Sequence, residues 1–271
     1  MKNLRLYSLL LGLFALSSLA VNAAQLASAK VLSITGSISY SSEGKPTSQL
    51  TVGTILTEGD SITTSAASRA DLVFSNGSEL TIQENTNITL AELSQETFAG
   101  TKSYEQLKAD PSKSQALLEL NYGKVYGHVK KLRKGSKFHI ETPLGTAAIR
   151  GTKFEVSLAY DADKGQFTLG VLNLDGLVDL SSKYAGKVSY GQSNIGDKNY
   201  DSELTDDKTE PVPPTHQVVI RISEDDPAYA AIIDAVKNFP PTDGLEISVD
   251  DEGDDEGDDE GDDEGDDEGD D

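Results

Sequence analysis

The chain has 271 residues and no cysteine, which excludes disulfide bonds and a lipid-modified N-terminal cysteine. Its formal net charge of −23 comes from 46 acidic and 23 basic residues. This balance excludes a protein that binds nucleic acid through an overall positive charge. The last 22 residues hold 17 of the acidic side chains, so the rest of the chain carries 29 acidic and 23 basic residues.

The first predicted segment is a secretory signal peptide over residues 1–23. Lys2 and Arg5 precede an apolar run from Leu9 to Ala20, and small residues follow it. The run is shorter than the roughly 20 residues that a membrane-spanning helix needs, although a retained anchor is the alternative. We expect cleavage after Ala23 or Ala24, no transmembrane anchor in the mature chain, and export to the periplasm or the cell surface and extracellular space of a bacterium.

Residues 24–192 are predicted to form one all-β domain. Between residues 70 and 93, apolar side chains alternate in pairs about eight residues apart, and Asn76-Gly77 is a strong hairpin signal. Glycines punctuate the other alternating runs, as expected of bulges and tight connections. We expect about ten short strands in a sandwich or a flattened solenoid, with a loop or short helix between residues 95 and 113. The other runs lie at residues 30–40, 51–64, 117–129, 137–142, 152–160, 166–180 and 186–191.

The rest of the chain divides into three predicted parts. Residues 193–214 are polar and close with three prolines, which predicts a linker. Residues 215–249 hold a strand and then a helix with Pro227 in its first turn, and this small element should dock on the β domain or bind a partner. Residues 250–271 repeat Asp-Asp-Glu-Gly and are predicted to be disordered, because no apolar side chain offsets the entropy of ordering. The apolar face of the helix is predicted to comprise Ala228, Ile232, Ala235 and Phe239.

A series of short motifs resembles the FecR domain, named for a bacterial iron-uptake regulator, from about Ile55 to Leu180. The resemblance implies an all-β domain that lacks catalytic residues, and we expect no cofactor and no metal. In the regulator this domain is periplasmic, follows a transmembrane helix and a cytoplasmic anti-sigma segment, and receives a signal from an outer-membrane transporter. The predicted signal peptide departs from that layout, so this chain resembles the stand-alone exported members and sigma-factor regulation is not carried over. The motifs are Gly59-Asp60, Gly77-Ser78, Gly123-Lys124-Val125, Thr142-Pro143 and Arg150-Gly151-Thr152-x-Phe154-x-Val156.

The motif Arg150-Gly151-Thr152 has a structural and a functional interpretation. Gly151 suits a backbone geometry that other residues resist, where the chain leaves one strand and enters the next. The planar guanidinium of Arg150 can bond several carbonyls at once, and Thr152 begins a strand whose Phe154 points inward. Ligand recognition by Arg150 is the alternative.

Sequence signals for catalysis and metal binding are weak. The segment GQSNIG at residues 191–196 is close to a nucleophile elbow, but it precedes a linker instead of a helix. The three histidines, His128, His139 and His216, form no zinc motif. The acidic tail offers oxygens but no ordered calcium loop, so weak, diffuse cation binding is the most that it allows. We therefore expect no enzyme.

The most basic stretch of the chain lies in the turn between two strand runs. We hypothesise that it contacts either the acidic tail or an anionic surface such as lipopolysaccharide or acidic glycan. An ordinary solvated turn is the alternative. The candidate anion contacts are Lys130, Lys131, Arg133, Lys134 and Lys137, and Lys124 lies nearby.

Two functions remain open on the sequence. The first is an interaction or scaffold module of the bacterial cell envelope, whose partner is another envelope protein that docks on the β domain or on the helix at 225–239. The second is a glycan or ligand-recognition module with an aromatic groove, although strand tyrosines more often pack at sheet edges. The tyrosines available for such a groove are at positions 40, 104, 122, 126, 160, 184 and 190.

Overall fold

The computed structural model describes residues 27–42, 45–100, 102–184, 186–190, 203–204 and 208–236. The predicted signal peptide at 1–23, the acidic tail at 250–271 and most of the predicted linker at 193–214 lie outside the described residues. No helix in the described part is long and apolar enough to cross a membrane.

The described residues confirm an all-β fold. They form sixteen strands, one 3-10 helix at Tyr104–Gln106 and one α-helix, α1, at Tyr229–Val236. The strands are β1 Ala29–Thr35, β2 Ile38–Ser41, β3 Ser48–Gln49, β4 Ile55–Leu56, β5 Ser61–Thr64, β6 Arg69–Phe74, β7 Glu79–Ile82, β8 Asn87–Gln95, β9 Ser114–His128, β10 Lys137–Thr142, β11 Gly145–Asp161, β12 Gln166–Ser182, β13 Gly186–Tyr190, β14 Glu203–Leu204, β15 Lys208–Val212 and β16 His216–Ser223.

All sixteen strands belong to one hydrogen-bonded sheet, through which the long strands β9, β11 and β12 run. The first half of the sheet joins β3, β2, β5, β8, the start of β9, β10, the start of β11, the end of β12 and β15. The second half joins β4, β1, β6, β7, the end of β9, the end of β11, the start of β12, β16, β13 and β14. Among these strand pairs only β9–β10 is parallel.

Each long strand changes partners at a glycine with positive φ. The φ angles are 98° at Gly123 in β9, 62° at Gly151 in β11 and 101° at Gly176 in β12. At the second of these corners the β11–β12 register shifts between Arg150 and Lys153. Such a glycine lets a strand turn from one half of the sheet into the other without ending.

The two halves of the sheet face each other across one apolar core. Phe138 on β10, in the first half, packs edge-on against Phe74 on β6, in the second half, with ring centroids 5.4 Å apart. Its ring centroid also lies 6.4 Å from that of Phe154 on β11. The described strands thus form one open, mixed sheet around this core, and their mainly antiparallel pairing differs from a solenoid, which would stack parallel strands from coil to coil.

The predicted count of about ten short strands is too low, and three of the strands are not short. β9 has 15 residues, and β11 and β12 have 17 each. The predicted run at 152–160 is only the second part of β11, because Gly151 bends this strand and does not end it. The expected interruption at 95–113 is present, and it contains the 3-10 helix.

The C-terminal strand β16 and helix α1 dock on the β domain, which is one of the two arrangements that the sequence predicts. β16 pairs with β12 and β13, and Ile232 of α1 is buried. The Tyr229 hydroxyl lies 2.9 Å from that of Tyr160, and its ring packs on Phe167 at 5.5 Å. β14 and β15 lie within the segment predicted as a linker, and β15 accommodates Pro211 as an edge strand of the described sheet.

Candidate functional site

The corner formed by Gly151 and Gly176 is held by buried polar contacts. The Thr152 hydroxyl donates to the carbonyl oxygen of Asp175 and lies 3.0 Å from Asn173 Oδ1. Asn173, fully buried, donates through Nδ2 to the carbonyls of Gly176 at 3.1 Å and Val212 at 2.7 Å. These bonds tie β11, β12 and β15 together.

Arg150 lies on the outside of this corner. Its side chain is exposed, and within the described part of the chain its guanidinium makes neither a hydrogen bond nor an ion pair, so the carbonyl contacts expected for it are not found. Its partner across the β11–β12 pair is Leu177, which is 62% exposed. A Cβ on Gly151 would lie 3.6 Å from the Cα of Lys131, so the corner abuts the basic loop before β10.

Asp110 fixes the shape of that basic loop. Its carboxylate is buried and accepts hydrogen bonds from the hydroxyls of Ser114 at 2.9 Å and Ser136 at 2.6 Å. Its backbone N–H donates to Lys131, and its carbonyl accepts from Nε of Arg133 at 3.1 Å. Sequence reasoning missed Asp110, because a single aspartate in the polar segment 95–113 carries no signal of burial.

The cations of this region divide into paired and unpaired groups. Lys130 is bonded to Glu79 at 2.9 Å and Lys124 to Glu155 at 3.2 Å, and both lysines are largely shielded from solvent. Lys130, predicted to contact anions, is therefore already neutralised by a carboxylate. The remaining cations are exposed and have no ion pair within the described residues. We call them the basic corner surface: Lys113, Lys131, Arg133, Lys134, Lys137 and Arg150.

The pKa of His139 reports the positive potential of this surface. Burial lowers it below the ordinary value of 6.5, and the nearby charges of Lys137 and Arg150 lower it further, whereas Glu141 opposes them. Lys137 of β10 and Arg150 of β11 therefore both lie close enough to His139 to lower its pKa. The pKa of His128 is lowered mainly by burial and then by Lys130. Its other charged neighbours are Glu79, Lys153 and Asp175.

We expect both histidines to make folding stability depend on pH. A histidine with a lowered pKa resists protonation in the folded state, whereas the unfolded chain binds a proton below about pH 6.5. The free energy of unfolding should therefore fall as the pH drops from 7 to 5.5. Glu105, whose pKa is lowered to about 2 chiefly by its hydrogen bond to Lys30, stays ionised throughout this range.

Urea unfolding at several pH values tests this expectation. The double substitution His128→Gln and His139→Gln should flatten the dependence between pH 7 and 5.5. An unchanged slope in the double variant would show that other groups cause it.

The other family-motif residues form turns. Asp60, buried beside Gly59, accepts hydrogen bonds from Ser42 Oγ at 2.5 Å and the Thr57 N–H at 2.8 Å. Gly77 closes the predicted β6–β7 hairpin with a φ of 83°. The Thr142 hydroxyl accepts the N–H groups of residues 144 and 145 in the turn that contains Pro143. Gly123 forms the corner of β9, and Phe154 lies in the apolar core.

Among the described residues, no group of three histidine or acidic side chains could hold a metal ion.

The tyrosines proposed for an aromatic groove are mostly engaged within the protein. The hydroxyl of Tyr104 is bonded to Ser28 and that of Tyr160 to Tyr229, while Tyr122 is buried. Burial and the neighbouring Glu155 raise the pKa of Tyr126 to about 12. Tyr104 lies in the 3-10 helix, Tyr122 and Tyr126 on β9 and Tyr160 on β11, and the internal contacts of these side chains weaken the glycan-recognition alternative.

Comparison with known proteins finds a family match for the middle of the chain. Residues 60–178 match the family model described as FecR protein. Two crystal structures of a candidate anti-sigma factor from Parabacteroides distasonis are 15% identical to this chain, with TM-scores of 0.32 and 0.33. The alignments cover 63% of this chain and 63% and 62% of those chains, less than two thirds of their length. No curated protein matched the chain in a sequence comparison.

Proposed function

Because residues 60–178 match the family model described as FecR protein, we propose that this chain is a non-enzymatic interaction module of the bacterial cell envelope. The basic corner surface is its docking site, and the partner is an acidic segment of another envelope protein. The observation that carries the proposal is the cluster of exposed cations without carboxylate partners in a chain whose net charge is −23. The predicted signal peptide supports location in the envelope.

The apolar groups beside the cations favour a protein partner over a glycan. Leu177 is 62% exposed and Leu174 is 45% exposed, and both lie on β12 next to the corner. An exposed apolar side chain surrounded by charges suits a peptide that carries both carboxylates and apolar groups. Opposite charges across such an interface steer the encounter and set specificity.

Site-specific photocross-linking in living cells tests the proposal. A photoreactive residue at Leu177 of the full chain should give a discrete protein adduct, and mass spectrometry should place the cross-link next to acidic residues of the partner. Val52, also 62% exposed but between β3 and β4, is the matched control position and should give no such adduct.

Charge neutralisation should weaken the contact. The substitutions Lys131→Gln, Lys134→Gln and Lys137→Gln remove three exposed charges, each worth up to about 1 kcal/mol, so the adduct yield should fall at least about fivefold. Lys45→Gln, Lys102→Gln and Arg221→Gln remove the same charge elsewhere and should leave the yield unchanged. Equal yields in the two triple variants would contradict the proposal, as would retention on an acidic glycan resin without any protein adduct.

A further inference from the structure

We propose that the acidic tail, residues 250–271, binds the basic corner surface of its own chain and competes there with the external partner. This inference rests on the proposed function for the identity of the displaced partner. It makes the tail an internal regulator of the docking site.

Charge complementarity identifies the tail as the occupant. The tail carries 17 carboxylates in 22 residues, and the corner surface presents six exposed cations. Elsewhere in the described residues, Lys30, Arg69 and Lys164 are already ion-paired with Glu105, Asp71 and Asp161, and the remaining unpaired cations lack the density of the corner surface, where five of the six lie between residues 113 and 137. An acidic segment that binds the corner surface therefore forms new ion pairs without breaking existing ones.

The tail is long enough to reach this surface. Helix α1 is anchored where Tyr160 of β11 meets Tyr229, and Arg150 lies ten positions earlier on the same strand. That stretch of strand spans at most about 34 Å. Residues 237–260, which end near the middle of the tail, number 24; a chain of that length extends to about 80 Å at most, and a random coil of that length measures about 27 Å from end to end. The span therefore lies within the reach of the tail.

Tethering makes a weak contact effective. A segment tethered to the same chain acts at an effective concentration on the order of millimolar, so even a contact with a dissociation constant near that value would be about half occupied. The tail has no apolar side chain, so it can cover the cations but cannot occupy the apolar position beside Leu177. A partner with both kinds of group would displace it, and salt would weaken it, because the Debye length shrinks from about 30 Å at 0.01 M to about 10 Å at 0.1 M.

The test uses a fluorescent peptide with the sequence of residues 250–271 as the probe, at low ionic strength. The chain lacking residues 250–271 should bind the peptide at least about twofold more tightly than the full chain, because a site that the tail occupies half of the time loses half of its apparent affinity. A full-length control with every tail Asp and Glu changed to Asn and Gln should bind it like the truncated chain, which separates charge from length. Equal affinity for the full and truncated chains would overturn the inference.

A second comparison distinguishes failure of this inference from failure of the proposed function. The substitutions Lys131→Gln, Lys134→Gln and Lys137→Gln, placed in the truncated chain, should reduce peptide binding at least about fivefold, whereas the Lys45, Lys102 and Arg221 control should not. Unchanged peptide binding by the Lys131, Lys134 and Lys137 variant would remove the corner surface as the tail's binding site. The photocross-link from Leu177 would still report independently on the external partner.

Discussion

The substitution Gly176→Ala is expected to lower the free energy of unfolding by about 3 kcal/mol. The urea concentration at the midpoint of unfolding should fall accordingly. Gly176 has a φ of 101°, which a residue with a Cβ adopts at a cost. An added Cβ would also lie 2.6 Å from the carbonyl oxygen of Gly151 and 2.9 Å from Cβ of Thr152. Both neighbours belong to the other strand of the corner, so relief requires the two strands to separate.

Alanine substitutions at two other glycines distinguish the cost of backbone strain from the cost of steric crowding. Gly53 has a φ of 87° and nothing within 4 Å of the added Cβ, so Gly53→Ala should cost only about 1 to 2 kcal/mol. Gly151→Ala, with a φ of 62° and its nearest contact at 3.6 Å, should cost a similar amount. If Gly176→Ala were as mild as Gly53→Ala, the corner would not be as closely packed as the structure describes.

These glycines also show how much of the fold the sequence could predict. Alternating apolar residues located most strands, because side chains on a strand point to opposite faces in turn. The same alternation does not reveal whether a glycine ends a strand or bends it. In the sequence Gly176 looks like any other glycine between alternating runs, yet it lies within the 17-residue strand β12. Which glycine makes a corner depends on the strand packed beside it, and that contact is not encoded locally.

The candidate site shows the same division between local and long-range information. A run of lysines and an arginine marks the basic stretch in the sequence, and its position between two strand runs predicts a turn. The ion pair between Lys130 and Glu79 joins residues 51 positions apart, and the Asp110 contacts that shape the loop cross from the predicted insertion to residues 131–136. The subset of cations left free could therefore be known only from the fold.

The substitution Phe138→Ala tests the face-to-face packing of the two sheet halves. Phe138 is fully buried, and truncating such a side chain should cost about 4 kcal/mol, measured by urea unfolding. Phe138→Leu keeps most of the volume and should cost less than about 1.5 kcal/mol. Because β10 begins at Lys137, immediately before this residue, Phe138→Ala should also loosen the end of the basic loop.

A double-mutant cycle makes this test specific to the contact between the halves. Phe74 and Phe138 lie on β6 and β10, which are not paired in the sheet, so any coupling between them must pass through the core. An edge-to-face pair contributes roughly 0.5 to 1.5 kcal/mol beyond area burial, so Phe74→Leu combined with Phe138→Leu should deviate from additivity by about 1 kcal/mol. Strict additivity would mean that the two halves do not meet at these rings. The strand corners would then have to be placed differently, and with them the surface on which the proposed docking depends.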